Sequence, residues 1–376
     1  MCSTLKWGGK VVDSNSEKDD EKSVSGANAK VSQRKPGRVE GKNSQYKSGG
    51  VFLYKKLVYE INTVLQANRD KGATKDKKVG YETQEKRKTV VLGFFSDLFK
   101  LKYKIESVHN LRQKHLVAVF NYLEKMNQSP STIQNKISIM RLFCNWIGKN
   151  GMVGDSSKYV RNKASVRRST VVQEDKSWVG NGVSVKDKIA EVAVEDPKIS
   201  LRLELCLAFG LRVKEAMSLR PALATEENFK GAGVHIREGT KGGRSRIVPI
   251  ENDVQLEVLT RAIAASDKTS GFLMSTGRDD EARIQHFYYV VRKCGLSFAD
   301  SGVTAHGLRH QYMHESFKRL LGVEPPVRGG DLSVLDKDEL HLASQKLMER
   351  AGHSRVKIGS AYYGSRRIPK LHSSKS

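Results

Sequence analysis

The sequence predicts a mainly α-helical protein with one small antiparallel β-sheet, which is an α+β fold. Most of its apolar segments space their hydrophobic residues three and four positions apart, as one face of a helix requires. Only one pair of segments predicts strands: residues 233–237 and 246–250 flank a turn, residues 239–243, that carries three glycines and a lysine. A polar stretch separates two helical regions, so the 376 residues divide into two domains preceded by an arm.

The arm comprises residues 1–48, which are rich in Ser, Lys, Gly and Asn and nearly free of large apolar side chains. Such a segment buries too little surface to offset the entropy that is lost on ordering. We therefore predict a disordered, mildly basic arm, and an inert tail is its simplest role.

The first helical unit covers residues 51–150 and contains four predicted helices, each with one apolar face. Their segments are VFLYKKLVYEINTVLQ, TVVLGFFSDLFKLKY, NLRQKHLVAVFNYLEK and SPSTIQNKISIMRLFCNWIGKN. The fourth opens with Ser129 or Ser131 as its N-cap, and Pro130 is tolerated in the first turn. Lys136 and Arg141 lie on polar positions of this helix. Both are candidates for DNA contacts, although a solvated helix face explains them equally well.

Residues 151–185 are polar and predict an interdomain linker. A basic cluster lies within this stretch and includes Arg167 and Arg168. The second unit begins near Val185 and is mainly helical apart from the hairpin. We place the domain boundaries as follows: the arm at 1–48, the helical DNA-clamping domain with its linker at 49–165, and the catalytic domain at 166–376.

The charge of the chain favours a polyanionic partner. Lys and Arg total 66 against 41 Asp and Glu, a formal net charge of +25 that is spread over both halves. Nucleic acid is the main candidate, and a ribosomal or membrane-surface role would also fit the charge.

Other features of the sequence indicate in which cellular compartment the protein is expected. The chain has no run of 18 or more apolar residues and no signal-peptide pattern, so we expect neither a membrane span nor secretion. Its four cysteines are scattered, without metal-ligand spacing, which fits a reducing cytoplasm. We expect three of them to be core thiols.

Five short signals in the second unit carry the chemistry. In chain order they are Arg212 in GLRVKE, Lys241 on the hairpin turn, the box His306-Gly-Leu-Arg309-His310, His353 in AGHSR, and the pair Tyr362-Tyr363. Each has a simple structural explanation when taken alone, since an arginine beside Glu215 is usually an ion pair and a tyrosine near a C-terminus usually packs. All five in this order, within about 150 residues, favour one shared site.

The set resembles that of the tyrosine recombinases, also called phage-type integrases. Members of this family carry Arg, Lys, His-x-x-Arg, His or Trp, and then Tyr, in the order of the five signals. The resemblance covers residues 185–365, and the helical unit at 51–150 resembles the family's SAM-like core-binding domain. Segments such as Arg168-Ser-Thr, Asp175-Lys-Ser-Trp178 and Gly352-His-Ser-Arg are also similar to integrases of bacterial integrative elements.

The resemblance implies a role for each matched residue. The catalytic residues are expected to be Arg212, Lys241, His306, Arg309, His353 and Tyr362. Glu215 and His310 are expected to orient them. Candidate DNA contacts are Lys136, Arg141, Arg167, Arg168 and Arg244. The resemblance further implies double-stranded DNA as substrate, a homotetramer on that DNA, an accessory DNA-bending protein, no membrane partner, and a place with the nucleoid in a bacterial cytoplasm.

The physical chemistry of phosphodiester transfer agrees with these roles. Two guanidiniums, those of Arg212 and Arg309, clamp the non-bridging phosphate oxygens bidentately, which lysine cannot do. Tyr362 attacks phosphorus and holds the cut end as a 3′-phosphotyrosine. Lys241 protonates the leaving 5′-oxygen, while His306 and His353 hydrogen-bond the phosphate or move protons. No cluster of acidic residues suited to Mg²⁺ stands out, so we expect no metal and no cofactor.

Two features depart from the family pattern. The gap between Arg309 and His353 is longer than in compact members, because a polar insert, Gly322–Lys337, precedes a predicted helix, Asp338–Arg350. We expect the insert to decorate the surface and to leave the site intact. Only 13 residues follow Tyr363, without a long apolar helix, so a C-terminal helix that docks on a neighbouring subunit is expected to be reduced or absent.

The function predicted from these observations is site-specific DNA cleavage and strand exchange, in the integration and excision of a mobile element. A recombinase that resolves replicon dimers would use the same residues. A catalytically silent DNA-binding relative is the alternative from another class, and the complete residue set argues against it. A basic ribosomal or structural protein would explain the charge but not the ordered set.

Overall fold

The structure is a computed structural model that describes residues 45–48, 50–72, 78–228, 231–273 and 280–365. Of the predicted arm, residues 1–44 lie outside this part of the chain. The described ranges are mainly helical, as the sequence predicts. Their α-helices are α1 Lys55–Ala67, α2 Tyr81–Lys100, α3 Gln113–Lys125, α4 Pro130–Trp146, α5 Val185–Glu195, α6 Pro197–Phe209, α7 Val213–Ser218, α8 Pro221–Ala224, α9 Asp253–Ala264, α10 Asp280–Lys293, α11 His306–Leu321, α12 Lys337–Arg350 and α13 Ser360–Tyr363.

The first strands correct two boundaries. Strand β1, Gln45–Ser48, pairs with strand β2, Val51–Tyr54, in a two-stranded sheet. The predicted arm therefore extends too far, since its last four residues form a strand. The first predicted helix also starts too early, because the run Val-Phe-Leu-Tyr combines β-branched and aromatic residues that favour a strand.

Helices α1 to α4 confirm the four helices that were predicted from apolar spacing. Ser129 caps α4, its hydroxyl accepting the backbone N–H of Thr132 at 3.3 Å, and Pro130 occupies the first turn. The apolar faces of the four helices form one hydrophobic cluster, which extends from Leu53 to Val166. Its largest buried side chains include Phe95, Phe120, Phe143 and Tyr159.

The predicted linker, residues 151–185, packs against the helices on both of its sides. The carboxylate of Glu124 on α3 accepts the backbone N–H groups of Arg161 and Asn162 at 2.8 and 2.9 Å. Further along, the ring of Trp178 is fully buried in a second hydrophobic cluster. The polar composition of this stretch reflects its hydrogen bonds to neighbouring elements.

The second cluster extends from Trp178 to Tyr363 and surrounds helix α6. Asp196 caps this helix by accepting the N–H groups of Lys198 and Ile199, and Pro197 opens its first turn. The middle of α6 buries residues on most of its faces, so it serves as the central helix of this cluster.

A three-stranded antiparallel sheet lies in the second part of the chain. Strand β4, Gly231–Ile236, pairs with β5, Arg246–Pro249, with Ile236 opposite Arg246, which confirms the predicted hairpin. A third strand, β3 at Thr225–Asn228, pairs with β4 and was not predicted. Its sequence, TEEN, lacks the apolar alternation by which a strand is recognised.

The insert Gly322–Lys337 does not only decorate the surface, as the sequence had led us to expect. Pro325, Pro326 and Leu332 are buried, and Leu332 belongs to the second cluster. Helix α12 follows the insert and begins at Lys337, one residue before its predicted start at Asp338. The insert is therefore a packed element of this part of the fold.

Two predictions from the sequence concern membrane-spanning helices and buried cysteines. Among the described helices, none is both long and apolar enough to cross a membrane. Cys144, Cys206 and Cys294 are free and buried, as predicted for core thiols.

Candidate active site

Arg212 lies at the break between α6 and α7. Helix α6 ends at Phe209 and is capped by Gly210, whose φ of 60° is left-handed. A Cβ at this position would overlap the ring of Tyr312, so only glycine fits. The carboxylate of Glu215 accepts the backbone N–H of Arg212 at 2.8 Å and its Nη1 at 2.6 Å. Its Nη2 donates to the carbonyl of Ala351 at 3.3 Å and lies 3.4 Å from Nε2 of His353. The turn thus presents the Arg212 guanidinium to His353, the fourth signal of the set.

Arg309 is fully buried and binds three different elements of the site. Its Nη1 donates to the carbonyl of Gly210 at 2.6 Å, and its Nη2 donates to the carbonyl of Ala351 at 2.5 Å. Its Nε donates to the hydroxyl of Tyr362 at 3.0 Å. One guanidinium therefore connects the Gly210 turn, the His353 loop and the tyrosine helix.

Glu215 is the buried anion that these cations share. Burial by itself raises the pKa of this carboxyl, but the hydrogen bonds and charges of Arg246 and Arg212 outweigh it and lower the pKa to about 2. Glu215 is consequently ionised at neutral pH. The prediction that it orients the catalytic arginine agrees with this geometry.

Arg246 is a residue of the site that the sequence motifs did not single out. Its Nη1 and Nη2 donate to the two carboxylate oxygens of Glu215 at 2.9 and 2.8 Å, and its Nε donates to the Arg350 carbonyl at 2.6 Å. A signal was available in the strand pattern. Arg246 lies two positions before Val248, so the two side chains share the buried face of β5, where an unpaired charge would be costly.

The two adjacent tyrosines occupy different environments. The hydroxyl of Tyr362 lies between Arg309 Nε, at 3.0 Å, and His353 Nε2, at 3.1 Å. The ring of Tyr363 packs on Phe317 with ring centroids 4.8 Å apart. Burial raises the pKa of Tyr363, and its hydroxyl is hydrogen-bonded to Ser344. Only the first tyrosine hydroxyl therefore faces the arginines and the histidine.

His353 is neutral at physiological pH. Its burial and the nearby charges of Arg309 and Arg212 lower its pKa to about 4. A guanidinium only donates hydrogen bonds, so the ring nitrogen that faces Arg212, Nε2, carries the lone pair. The Tyr362 hydroxyl lies 3.1 Å from the same nitrogen, and because its oxygen already accepts from Arg309 Nε, its own proton is available to Nε2. His353 is thus oriented as a base toward Tyr362.

His306 and His310 lie on the first turns of α11, with ring centroids 5.4 Å apart. Exclusion of water from part of the ring, together with the charges of Arg309 and Arg212, lowers the pKa of His306 to about 4. His310 is buried, its pKa falls to about 3 for the same main reason, and its ring centroid is 5.0 Å from that of Tyr362. His306 is exposed toward solvent, whereas His310 packs behind the tyrosine.

A groove of 740 Å³ is lined by Arg212 and His353 of the site and by further lysines and arginines. Lys241, at the exposed hairpin tip, forms part of its wall, and its ammonium makes no hydrogen bond to any residue that the structure describes. No Asp or Glu is among the lining residues. The lysines and arginines that line the groove are Arg168, Lys176, Arg212, Lys241, Arg244, Arg355 and Lys357. The groove is suited to a polyanion.

The candidate DNA contacts fall into two groups. Arg168 and Arg244 line the groove, as a contact with DNA requires. The guanidinium of Arg141 instead donates to the carbonyls of Val153 and Gly154 at 3.0 and 2.7 Å, so it holds the chain after α4, and its contact with DNA stays a prediction. For Lys136 and Arg167 a DNA contact stays a prediction.

The helical fold and this site define the class of tyrosine recombinases. The family model described as Integrase matches residues 176–315, and the model described as Phage integrase, N-terminal, matches residues 66–153. Together the two matches cover more than half of the chain. The chain belongs to the phage-integrase family of tyrosine recombinases. Of the six predicted catalytic residues, His353 and Tyr362 lie beyond the end of the Integrase match.

Known relatives support this assignment at low identity. Tyrosine recombinase XerA of Pyrococcus horikoshii is 24% identical over 203 residues, which cover 53% of this chain and 65% of that protein. A lambda integrase dimer bound to a COC′ core site has a TM-score of 0.52 at 14% identity, over 85% of this chain and 79% of the other. A lambda integrase tetramer bound to a Holliday junction has a TM-score of 0.50 at 13% identity, with the same coverage. The likeness to lambda integrase is one of fold.

Proposed function

We propose that this protein is a site-specific DNA recombinase that cleaves and rejoins DNA through a covalent bond to Tyr362. The observation that carries the proposal is the position of the Tyr362 hydroxyl, between Arg309 and His353 and beside a groove whose charged lining residues are all lysines and arginines. A phosphate in that groove would meet a nucleophile, a base and guanidinium donors at one place.

The cleavage step balances with the groups at this site. The hydroxyl oxygen of Tyr362 bonds to phosphorus while its proton passes to Nε2 of His353, which is 3.1 Å away. The bond from phosphorus to the 5′-oxygen breaks, and the ammonium of Lys241 supplies the proton that this oxygen needs. The product is a 3′-phosphotyrosyl bond and a free 5′-hydroxyl. Religation reverses the same steps, so it needs no nucleotide cofactor.

The arginines have the charge to stabilise the transition state. Negative charge grows on the non-bridging oxygens of the phosphate, and preorganised guanidiniums at this place are worth a few kcal/mol, about 3 for a single donor. Arg212 lines the groove, whereas Arg309 lies beneath it and already binds the tyrosine. We therefore expect cleavage to proceed at an unchanged rate in EDTA, and a requirement for a divalent metal would reject this mechanism.

The tyrosine has to move slightly to reach a phosphate. Tyr362 is only 6% exposed and does not line the groove, while its neighbour Ala361 and its partner His353 do. A small shift of α13 would bring the hydroxyl into the groove. In the proposal, DNA that occupies the groove supplies this displacement by competing for Arg309.

The biological substrate in this proposal is double-stranded DNA of a mobile element that is integrated and excised. The match to models named for integrases supports this choice over the resolution of replicon dimers. By analogy with the lambda integrase tetramer on a Holliday junction, the active form would be a homotetramer on DNA, with an accessory DNA-bending protein and a place with the bacterial nucleoid.

Trapping the covalent intermediate tests the proposal. The full chain is incubated with a pool of short nicked duplexes of randomised sequence, so that the cleaved end diffuses away and the adduct accumulates. We expect a band on a denaturing gel that contains protein and DNA. A catalytically silent DNA-binding relative would retain the DNA on a native gel but give no such band, and that result would contradict the proposal.

A further inference from the structure

The insert Gly322–Lys337 contacts the helix that carries the candidate nucleophile. Its residues Pro326–Arg328 form a 3-10 turn, in which the carbonyl of Pro325 accepts the N–H of Arg328 at 2.8 Å. Gly364, the residue after α13, has a φ of 89°, and a Cβ there would lie 3.2 Å from the backbone nitrogen of Val327. The turn therefore packs directly against the end of the tyrosine helix.

Arg328 in this turn begins a chain of contacts that ends on the main chain of Tyr362. Its Nε donates to Oδ2 of Asp175 at 2.8 Å, and its Nη2 donates to the Ser177 hydroxyl at 2.8 Å. The other carboxylate oxygen of Asp175, Oδ1, accepts the backbone N–H of Ser177 at 2.7 Å and lies 3.5 Å from Nδ1 of His314, a packing and electrostatic contact without a hydrogen bond. His314 is fully buried, and its Nε2 donates to the carbonyl of Tyr362 at 2.8 Å.

Helix α13 depends on such contacts because it contains only four residues. One helical turn is not stable on its own, so surrounding groups fix its position. The backbone N–H of Val172 donates to the carbonyl of Ser360 at 2.9 Å, which holds the first residue of the helix. His314 holds its third residue, and the insert packs against the residue that follows it.

We propose that the insert positions the nucleophile, and that Arg328 is a positioning residue that acts through Asp175 and His314 on the backbone of Tyr362. This inference rests on the proposed function, in which Tyr362 attacks the phosphate. The insert joins α11, which carries Arg309, to α12, and it adds a contact to the tyrosine helix. Removing the Arg328 contacts releases α13 without touching Arg212, Lys241 or Arg309.

The test compares Arg328→Gln and Arg328→Lys with Lys318→Gln, a matched control that removes an exposed ion pair to Glu324 at the edge of the insert. Three quantities are measured: the rate of adduct formation at saturating DNA, the Kd for DNA, and hydrogen exchange of the backbone amides. Arg328→Gln is expected to slow adduct formation about 100-fold, the usual cost of misplacing a reacting group by about 1 Å. The Kd is expected to stay unchanged, and Arg328→Lys should recover part of the rate by keeping one contact to Asp175.

Hydrogen exchange separates positioning from a general loss of stability. With Arg328→Gln we expect faster exchange in residues 359–364 and unchanged exchange in α6. A wild-type rate of adduct formation in Arg328→Gln would overturn the inference, and so would a uniform rise in exchange with an equal fall in Tm. If the wild-type protein and Lys318→Gln form no adduct, the proposed function fails instead. The exchange measurement then decides by itself whether the insert holds α13.

Discussion

The hydroxyl oxygen of Tyr362 lies 3.0 Å from Nε of Arg309, a guanidinium that has no exposure to solvent. The other two nitrogens of Arg309 bind the carbonyls of Gly210 and Ala351. Because three fixed contacts hold the guanidinium, it can orient both the tyrosine hydroxyl and an incoming phosphate. Replacing it should disturb chemistry more than DNA binding.

Lysine in place of Arg212 or Arg309 keeps the positive charge but loses the planar fork that binds two phosphate oxygens. We expect Arg212→Lys and Arg309→Lys each to slow adduct formation by roughly 100-fold or more, as the loss of a transition-state donor does. Arg319→Lys is a suitable control, since Arg319 lies on the same helix as Arg309 and forms an exposed ion pair with Glu251. Rates near the wild-type value for Arg212→Lys or Arg309→Lys would show that the arginine in question is wrongly assigned.

Arg246 and Arg244, two residues apart on the hairpin, should give opposite results. Arg246→Met leaves the buried carboxylate of Glu215 with Arg212 as its close partner, so we expect a loss of about 3 kcal/mol in the free energy of unfolding, together with slower cleavage. Arg244→Gln removes a cation of the groove and should weaken DNA binding at unchanged stability. Urea unfolding and DNA titration separate the two effects. Equal stability of the two variants would contradict the role given to Arg246.

Stability should fall as the pH is lowered from 6.5 toward 4. The pKa of His353 is about 4 in the folded protein and that of His310 about 3, below the ordinary histidine value of 6.5. Between these values the unfolded chain binds protons that the folded chain does not, so the stabilisation is complete above pH 6.5 and is lost on acidification. His310→Gln should flatten this slope, whereas His109→Gln, at an exposed histidine, should not. An identical slope in both variants would refute the assignment.

DNA binding should depend steeply on salt because the charged residues that line the groove are all lysines and arginines. Each lysine or arginine that neutralises a phosphate contributes about one unit to the slope of log K against log salt. We expect Lys357→Gln and Arg244→Gln each to lower the slope by about 1, and Lys318→Gln to leave it unchanged. A wild-type slope near zero would refute DNA as the ligand of this groove.

Much of this architecture follows from local sequence patterns. The helices α1 to α4 and the hairpin of β4 and β5 have clear apolar periodicities, which is why they were predicted, although α2 begins at Tyr81, eight residues before the predicted segment. The strand β3 lacks such a pattern, and β2 was taken as the start of a helix because four apolar residues fit both structures.

The residues of the site could be predicted only where they belong to a recognisable sequence motif. The motifs identified the residues that meet at Tyr362, but not Arg246, whose partner Glu215 lies 31 positions away. The contact between Arg328 and Asp175 spans 153 positions, and no local pattern signals it. Such contacts depend on how distant elements pack, and no local pattern reveals them. For this reason the insert was expected only at the surface.

The central claim is that Tyr362, and not Tyr363, forms the bond to DNA. Consecutive residues of a helix point about 100° apart, so one hydroxyl faces Arg309 and His353 while the other packs on Phe317. Tyr362→Phe should abolish the covalent adduct at a nearly unchanged Kd for DNA. Tyr363→Phe, the matched control, should still form it.

Peptide mapping of the trapped adduct tests this claim most directly. The nucleotide is expected on the peptide that contains both tyrosines, and fragmentation is expected to place it on Tyr362. A nucleotide on Tyr363 would contradict the assigned geometry, and one on neither tyrosine would contradict the recombinase mechanism itself.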